Sequence, residues 1–172
     1  VLSTRLLLLL TSTLTVMAAA TISPALPAIA AHFGDGTRVE FLTRLVLTLP
    51  ALFIVLAAPL AGWACDRIGR KPVLLTGLLL YVLAGSSGLL VQSLEGLLVG
   101  RAGLGVGVAA LMTATTAYMT DIYQGEAQTR VLGLQGAFMA GGGVVFVLFG
   151  GLGAELHWRA PFAIYAVALL LW

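Results

Sequence analysis

The chain has 172 residues, 60% hydrophobic and 9% charged, with a formal net charge of +2 and a mean hydropathy of +1.06. Soluble domains carry about 25% charged residues, so this composition excludes an ordinary water-soluble globule and points to a membrane protein. A single lysine (Lys71) with no basic run excludes a nucleic-acid surface, and a single cysteine (Cys65) excludes an intrachain disulfide or a cysteine metal cluster.

The first apolar run predicts a helix over about 6–31, preceded by Arg5. Ala18-Ala19-Ala20 looks faintly like a signal-peptidase site. The run continues through Ile22, Leu26 and Ile29, however, and is long enough to span a bilayer. Pro24 and Pro27 fall in its outer third, where each frees carbonyls that a neighbouring helix or a cavity must satisfy. A polar loop over 34–44 holds Asp35, Arg38, Glu40 and Arg44. The second span is predicted over about 45–64, with Pro50 and Pro59 as possible kinks.

Next comes Gly62-Trp63-Ala64-Cys65-Asp66-Arg67-Ile68-Gly69-Arg70-Lys71-Pro72. Gly62 lets a helix end approach a neighbour, Gly69 permits a tight turn, and Pro72 suits the first turn of a new helix. Arg67, Arg70 and Lys71 form a positive cluster, within which Asp66 is the one negative partner. The third span is predicted over about 73–91, followed by a short turn and then a fourth over about 97–119. Gly103 and Gly107 give the fourth a small-x-x-x-small face for close helix contact.

Arg101 is the most deeply embedded charge, at a cost of about 2.5–3.5 kcal/mol on insertion scales if it lies at the bilayer centre. It can face an internal cavity, snorkel to the surface or pair with Glu95. A polar loop over 121–130 leads to a glycine-rich fifth span over about 131–153. A sixth, over 160–172, breaks off at about half length, so the chain reads as incomplete. His32 and His157 stand at the ends of separate runs and read as solvated loop residues rather than metal ligands. No cofactor, metal site or catalytic residue is expected: there is no embedded Ser/His/Asp set, His-Glu-x-x-His or carboxylate pair.

The pattern Gly62-x-x-x-Asp66-Arg67-x-Gly69-Arg70-Lys71 resembles the signature loop between helices 2 and 3 of the major facilitator superfamily of secondary transporters. Thr21 to Pro27 resembles the end of helix 1 in its drug-efflux members, and Arg101-x-x-x-Gly105-x-Gly107-x-Ala109 resembles the helix 4 motif. Asp121, with Arg130 and Gly133, resembles the link between helices 4 and 5, and Trp158-Arg159-x-x-Phe162 the start of helix 6. Four positions depart from the antiporter pattern. Ala20 replaces a frequent Asp, Leu104 a frequent glutamine, and Phe146-Val147 the Gly-Pro that lies four residues before Gly150-Gly151.

The resemblance implies an all-α membrane protein of six transmembrane helices. These form the amino-terminal half of a twelve-helix fold, as two three-helix units of inverted topology. It also implies a small-molecule substrate, bound at mid-membrane against the other half and moved by alternating access. Efflux of a small organic solute or drug is the first expectation. Uptake of a metabolite or sugar, or a non-transporting receptor or scaffold, is the alternative. Gly62, Asp66, Arg67, Gly69, Arg70 and Lys71, with Asp121 and Arg130 as partners, would form a cytoplasmic gate whose charge pairs break on opening. Arg101, Gly105, Pro24 and Pro27 would line the path.

Arg5, Arg67, Arg70, Lys71 and Arg130 outnumber Arg38, Arg44 and Arg159 when the amino terminus is placed in the cytoplasm, in a cell membrane. Cys65 should then label only from that side. All seven acids fall in loops or at helix ends, so this half is expected to supply no embedded proton-binding carboxylate. A coupling proton would need an acid from elsewhere.

Overall fold

The computed structural model describes residues 2–34 and 36–171; Val1, Asp35 and Trp172 lie outside it. Among the described residues every element is helical. The order is α1 (Leu2–Ala20), a 3-10 turn at Ser23–Ala25, α2 (Leu26–Phe33), α3 (Thr37–Ile68), α4 (Arg70–Ser86), a 3-10 turn at Ser87–Leu89, α5 (Leu94–Ile122), α6 (Gly125–Leu156), α7 (Ala160–Ala163) and a 3-10 stretch at Ile164–Leu171. Five helical stretches are long and apolar enough to cross a membrane: Thr4–Phe33, Thr37–Ile68, Arg70–Leu89, Leu94–Ile122 and Gly125–Leu156. Ala160–Leu170 is a shorter apolar helix.

Helix ends differ from the apolar runs. The expected loop over 34–44 is mostly the first two turns of α3, and the loop over 121–130 shrinks to Tyr123-Gln124. The reason is geometric. A 32-residue helix is about 48 Å long, against about 30 Å of hydrocarbon, so its polar ends continue as helix beyond the apolar part. Conversely, the first run is not one helix. Pro24 and Pro27 each lack an amide hydrogen, and the backbone tightens there into a 3-10 turn, with Ala25 N–H bonded to the Ile22 carbonyl at 2.9 Å.

α5 is the central post. Most of its inward side chains, including Leu97, Leu104, Val108, Leu111 and Met119, are buried. It packs on α3 through Gly105, where a Cβ would stand 2.5 Å from the Pro50 carbonyl oxygen and 2.8 Å from the Phe53 Cβ. It packs on α4 through Gly107, where a Cβ would stand 2.9 Å from the Tyr81 amide nitrogen. Gly150 does the same for α6 against α1: a Cβ there would collide with the Thr21 carbonyl at the helix break. Without a hydrophobic force between helices in lipid, such close backbone approach supplies the van der Waals packing. α3 and α6 are the least covered, with 17% and 6% of their apolar windows buried. Leu56, Leu60, Leu148 and Leu152 stand exposed on them.

Candidate functional site

Two arginines organise the polar side chains, one at an end of the bundle and one inside it. At the end, α3 stops at Ile68 and the chain turns through Gly69, whose φ of 96° is a left-handed value that favours glycine. The Gly69 N–H caps α3 on the Cys65 carbonyl at 3.2 Å. Arg70 then opens α4 and folds back. Its Nη1 donates to the Cys65 carbonyl at 2.7 Å and to Asp66 Oδ1 at 3.1 Å, and its Nε donates to Asp121 Oδ2 at 2.9 Å. One guanidinium therefore ties the end of α3, the start of α4 and the end of α5. The Arg70 side chain is 28% exposed, against 75% for Asp66 and 54% for Asp121.

The other expected members of this cluster stand apart. Arg67 lies over the exposed Trp63 ring at 5.5 Å. Arg67, Lys71 and Arg130 are exposed, and none makes an ion pair among the described residues. Gly62 meets no neighbour: a Cβ there would find no atom within 4 Å. Its expected role in close helix approach is therefore not filled among the described residues. Cys65 is 2% exposed, packed with Val73 and Ala114, so its expected use as an accessible label fails.

Arg101 is 2% exposed and lies among α1, α5 and the last helical segment. Its Nη1 donates to Tyr165 Oη at 2.9 Å and to the Ala18 carbonyl at 3.3 Å, and Tyr165 Oη donates to the same carbonyl at 3.0 Å. Its guanidinium carbon sits 5.0 Å from the Phe162 ring centre and 5.1 Å from that of Tyr165. Nη2 is buried without a partner. Two of the three readings left open by the sequence are removed. Glu95 is not its partner, since that carboxylate pairs with Arg38 at 2.8 Å, and a 2% exposed side chain does not snorkel. Nor does Arg101 line an open face of this half, because Phe162 and Tyr165 cover it. Hydrogen bonds to a charged group contribute about 1.5–3 kcal/mol, and a desolvated cation–π contact about 2, which is enough to offset the insertion cost.

Gly105, expected on the path, is taken up by the contact with Pro50. Of the two prolines expected there, Pro27 is exposed and Pro24 half-buried, both at the α1 break. Residues that the sequence reading missed complete the interior. Tyr81 Oη donates to the Leu14 carbonyl at 2.8 Å. Gln135 Nε2 donates to Ser12 Oγ at 3.0 Å and Thr116 Oγ1 at 3.3 Å, joining α6, α1 and α5. Ser12, Thr116 and Gln135, polar residues inside otherwise apolar spans, are the signal that could have found them. At the end opposite the Gly69 turn, Trp158 is stacked on His32 with ring centres 4.6 Å apart, and Arg159 lies 4.8 Å from its ring centre. His32 is thus in contact with an aromatic ring rather than simply solvated.

The sequence profile of the Major Facilitator Superfamily matches residues 8–172. The chain belongs to that superfamily. It is accordingly a multi-pass membrane protein. It is 35% identical over 153 residues to the tetracycline resistance protein, class E, of Escherichia coli, covering 86% of this chain and 36% of that protein. It is 31% identical over 121 residues to multidrug resistance protein 1 of Bacillus subtilis, covering 70% and 31%. A chloramphenicol resistance protein of Pseudomonas aeruginosa is 36% identical over 128 residues, covering 72% and 30%. The chain thus spans about a third of the length of the curated relatives it matches. The inward-open xylose transporter XylE of E. coli has the same fold, with a TM-score of 0.84 over 99% of this chain and 46% of that one, at 16% identity. These matches agree with the architecture implied by the Gly62–Lys71 pattern: an all-α bundle corresponding to the amino-terminal half of a superfamily transporter.

Proposed function

We propose that the chain forms one half of a secondary transporter that exports a small organic solute or drug by alternating access. The observation that carries the transport reading is the Arg70 bridge, which locks three helix ends at the signature turn. The resistance and multidrug names of the sequence relatives narrow the substrate to drug-like organic molecules. Likeness to the xylose transporter is a likeness of fold, and carries no sugar substrate to this chain.

The bridge also refines the gate. Both carboxylates that hold Arg70 belong to this half. A rocking of the half as one body leaves these pairs intact, so their role is to keep the corner rigid. Contacts that break on opening must be made by groups without an ion-pair partner among the described residues, of which Arg67, Lys71 and Arg130 are the exposed candidates, at what we take to be the cytoplasmic side. Coupling would not come from an acid inside these helices. Glu40, Asp66, Glu95, Asp121, Glu126 and Glu155 are all exposed, and each lies in the first or last four residues of its helix; Asp35 is outside the described residues.

The test is transport of tetracycline and chloramphenicol by the full-length protein in proteoliposomes with an imposed proton gradient. Gradient-driven accumulation of either drug, much reduced by Asp66→Asn at equal protein, is expected. Exchange of xylose with no movement of any drug would replace export with the sugar reading.

A further inference from the structure

Gln135 is held by one end of its amide and open at the other. Nε2 donates to Ser12 Oγ at 3.0 Å and to Thr116 Oγ1 at 3.3 Å. Ser12 fixes the orientation, because its own hydrogen goes to the Leu8 carbonyl at 2.9 Å. The Ser12 oxygen must therefore accept, so the amide turns its nitrogen toward Ser12 and its oxygen away. Oε1 accepts no hydrogen bond among the described residues. It is not sealed in as the hydroxyls of Thr21, Thr43 and Thr115 are, and it reaches the surface of the chain, although the residue as a whole is only 9% exposed. Open ground lies beside it. A Cβ on Gly136, the next residue, would find no atom within 4 Å. Met112, one turn from Thr116 on the same face of α5, is 49% exposed.

The depth of that oxygen decides what it can meet. A 32-residue helix, about 48 Å long, overshoots roughly 30 Å of hydrocarbon by about 9 Å at each end when centred, and Gln135 stands about 15 Å from the start of α6. It lies within the hydrocarbon layer, where an acceptor turned to lipid leaves a bond unmade and is tolerated only on a cavity or against protein. Arg101 and Tyr81 are spent on carbonyls inside the half, whereas Gln135 keeps an acceptor at an open face. We propose that Gln135 Oε1 accepts a hydrogen bond from the exported molecule, which is then one that carries an N–H or O–H group on an apolar body. This rests on the export reading above and adds the chemistry that the site selects. The Met112 thioether, flexible and polarizable, adapts to apolar bodies of different shape. Ser12 and Thr116 keep the amide from rotating. A molecule that presents only acceptors to this point gains no bond and leaves Oε1 unpaired.

The test uses the full-length protein in proteoliposomes with tetracycline and chloramphenicol. Gln135→Met keeps the length of the side chain and removes the amide. It should raise KM for whichever drug is moved about fivefold, the worth of one hydrogen bond, and leave kcat within about twofold. Tyr81→Phe removes a buried hydroxyl bonded to the Leu14 carbonyl at 2.8 Å. It should lower the melting temperature at least as much and leave KM unchanged, which tells a lost contact from a loss of stability. In a Cys65→Ala background, Gln135→Cys should react with a water-soluble methanethiosulfonate reagent, and a saturating concentration of the moved drug should slow that reaction. A KM unchanged by Gln135→Met, or raised as much by Tyr81→Phe, overturns the inference while export stands. So does a Gln135→Cys variant that never reacts, because the rest of the transporter then covers that face. If wild type moves neither drug, the export reading falls and takes this inference with it.

Discussion

Arg70 and Arg101 are the same side chain put to opposite uses. Arg70 keeps contact with water, and its charge is met by two carboxylates, so its bonds are electrostatic and open to screening. Arg101 meets no carboxylate among the described residues. It is held by a carbonyl, a phenol and two ring faces in a dry interior. The difference separates a corner held by partly exposed, screenable ion pairs from a buried cluster on which the packing of the bundle depends. Surface ion pairs contribute about 0–1 kcal/mol each, whereas removing a buried, multiply bonded side chain costs several times that.

The contrast can be broken most sharply at Arg101. Arg101→Ala leaves a cavity beside Phe162 and strips a partner from Ala18 and Tyr165, so it should destabilise the purified protein by roughly 3 kcal/mol. Transport should be lost with stability. Arg101→Lys should recover only part, because a lysine cannot reach carbonyl and phenol with one planar fork. Thermal unfolding in detergent checks both; an unshifted alanine variant would mean that the buried cluster holds nothing together.

Tyr165→Phe keeps the ring under the guanidinium and removes the hydroxyl that bridges Arg101 and Ala18. A loss of about 1 kcal/mol is expected, insensitive to salt. Arg70→Gln should cost a similar amount at low ionic strength and distinctly less at 1 M salt, where the Debye length falls to about 3 Å. Equal salt responses for the two variants would erase the distinction. Arg38→Gln removes an ion pair whose partners are 80% and 59% exposed, and melting should shift by less than the equivalent of about 0.5 kcal/mol.

Much of the fold was legible because apolar runs of membrane length and the Gly62–Lys71 pattern are unambiguous in composition and spacing. Helix ends were not, since hydropathy reports where lipid stops and not where backbone hydrogen bonding stops. The Asp121 partnership could be read from the family pattern, but Arg130 followed the same pattern and stays out of the network. The partners of Arg101 were hidden for another reason. Tyr165 is 64 residues away, in a stretch that reads simply as an apolar run, and no periodicity within α5 points to it. Gly62 shows the converse: a residue type that suits close packing, with no neighbour among the described residues to pack against.

The length of α3 and α6 bears on where such a molecule can open and where it can hold on. A rod of about 48 Å, turned by about 10° around its midpoint, moves each tip by roughly 4 Å and its centre hardly at all. A hydrogen bond tolerates only a few tenths of an ångström. Contacts made across to another body at the tips are thus severed by a small tilt, while a molecule gripped near the middle keeps its neighbours. In the transport proposed above, stiff helices that overshoot the bilayer would act as levers, with gates at their ends and a binding site at the fulcrum.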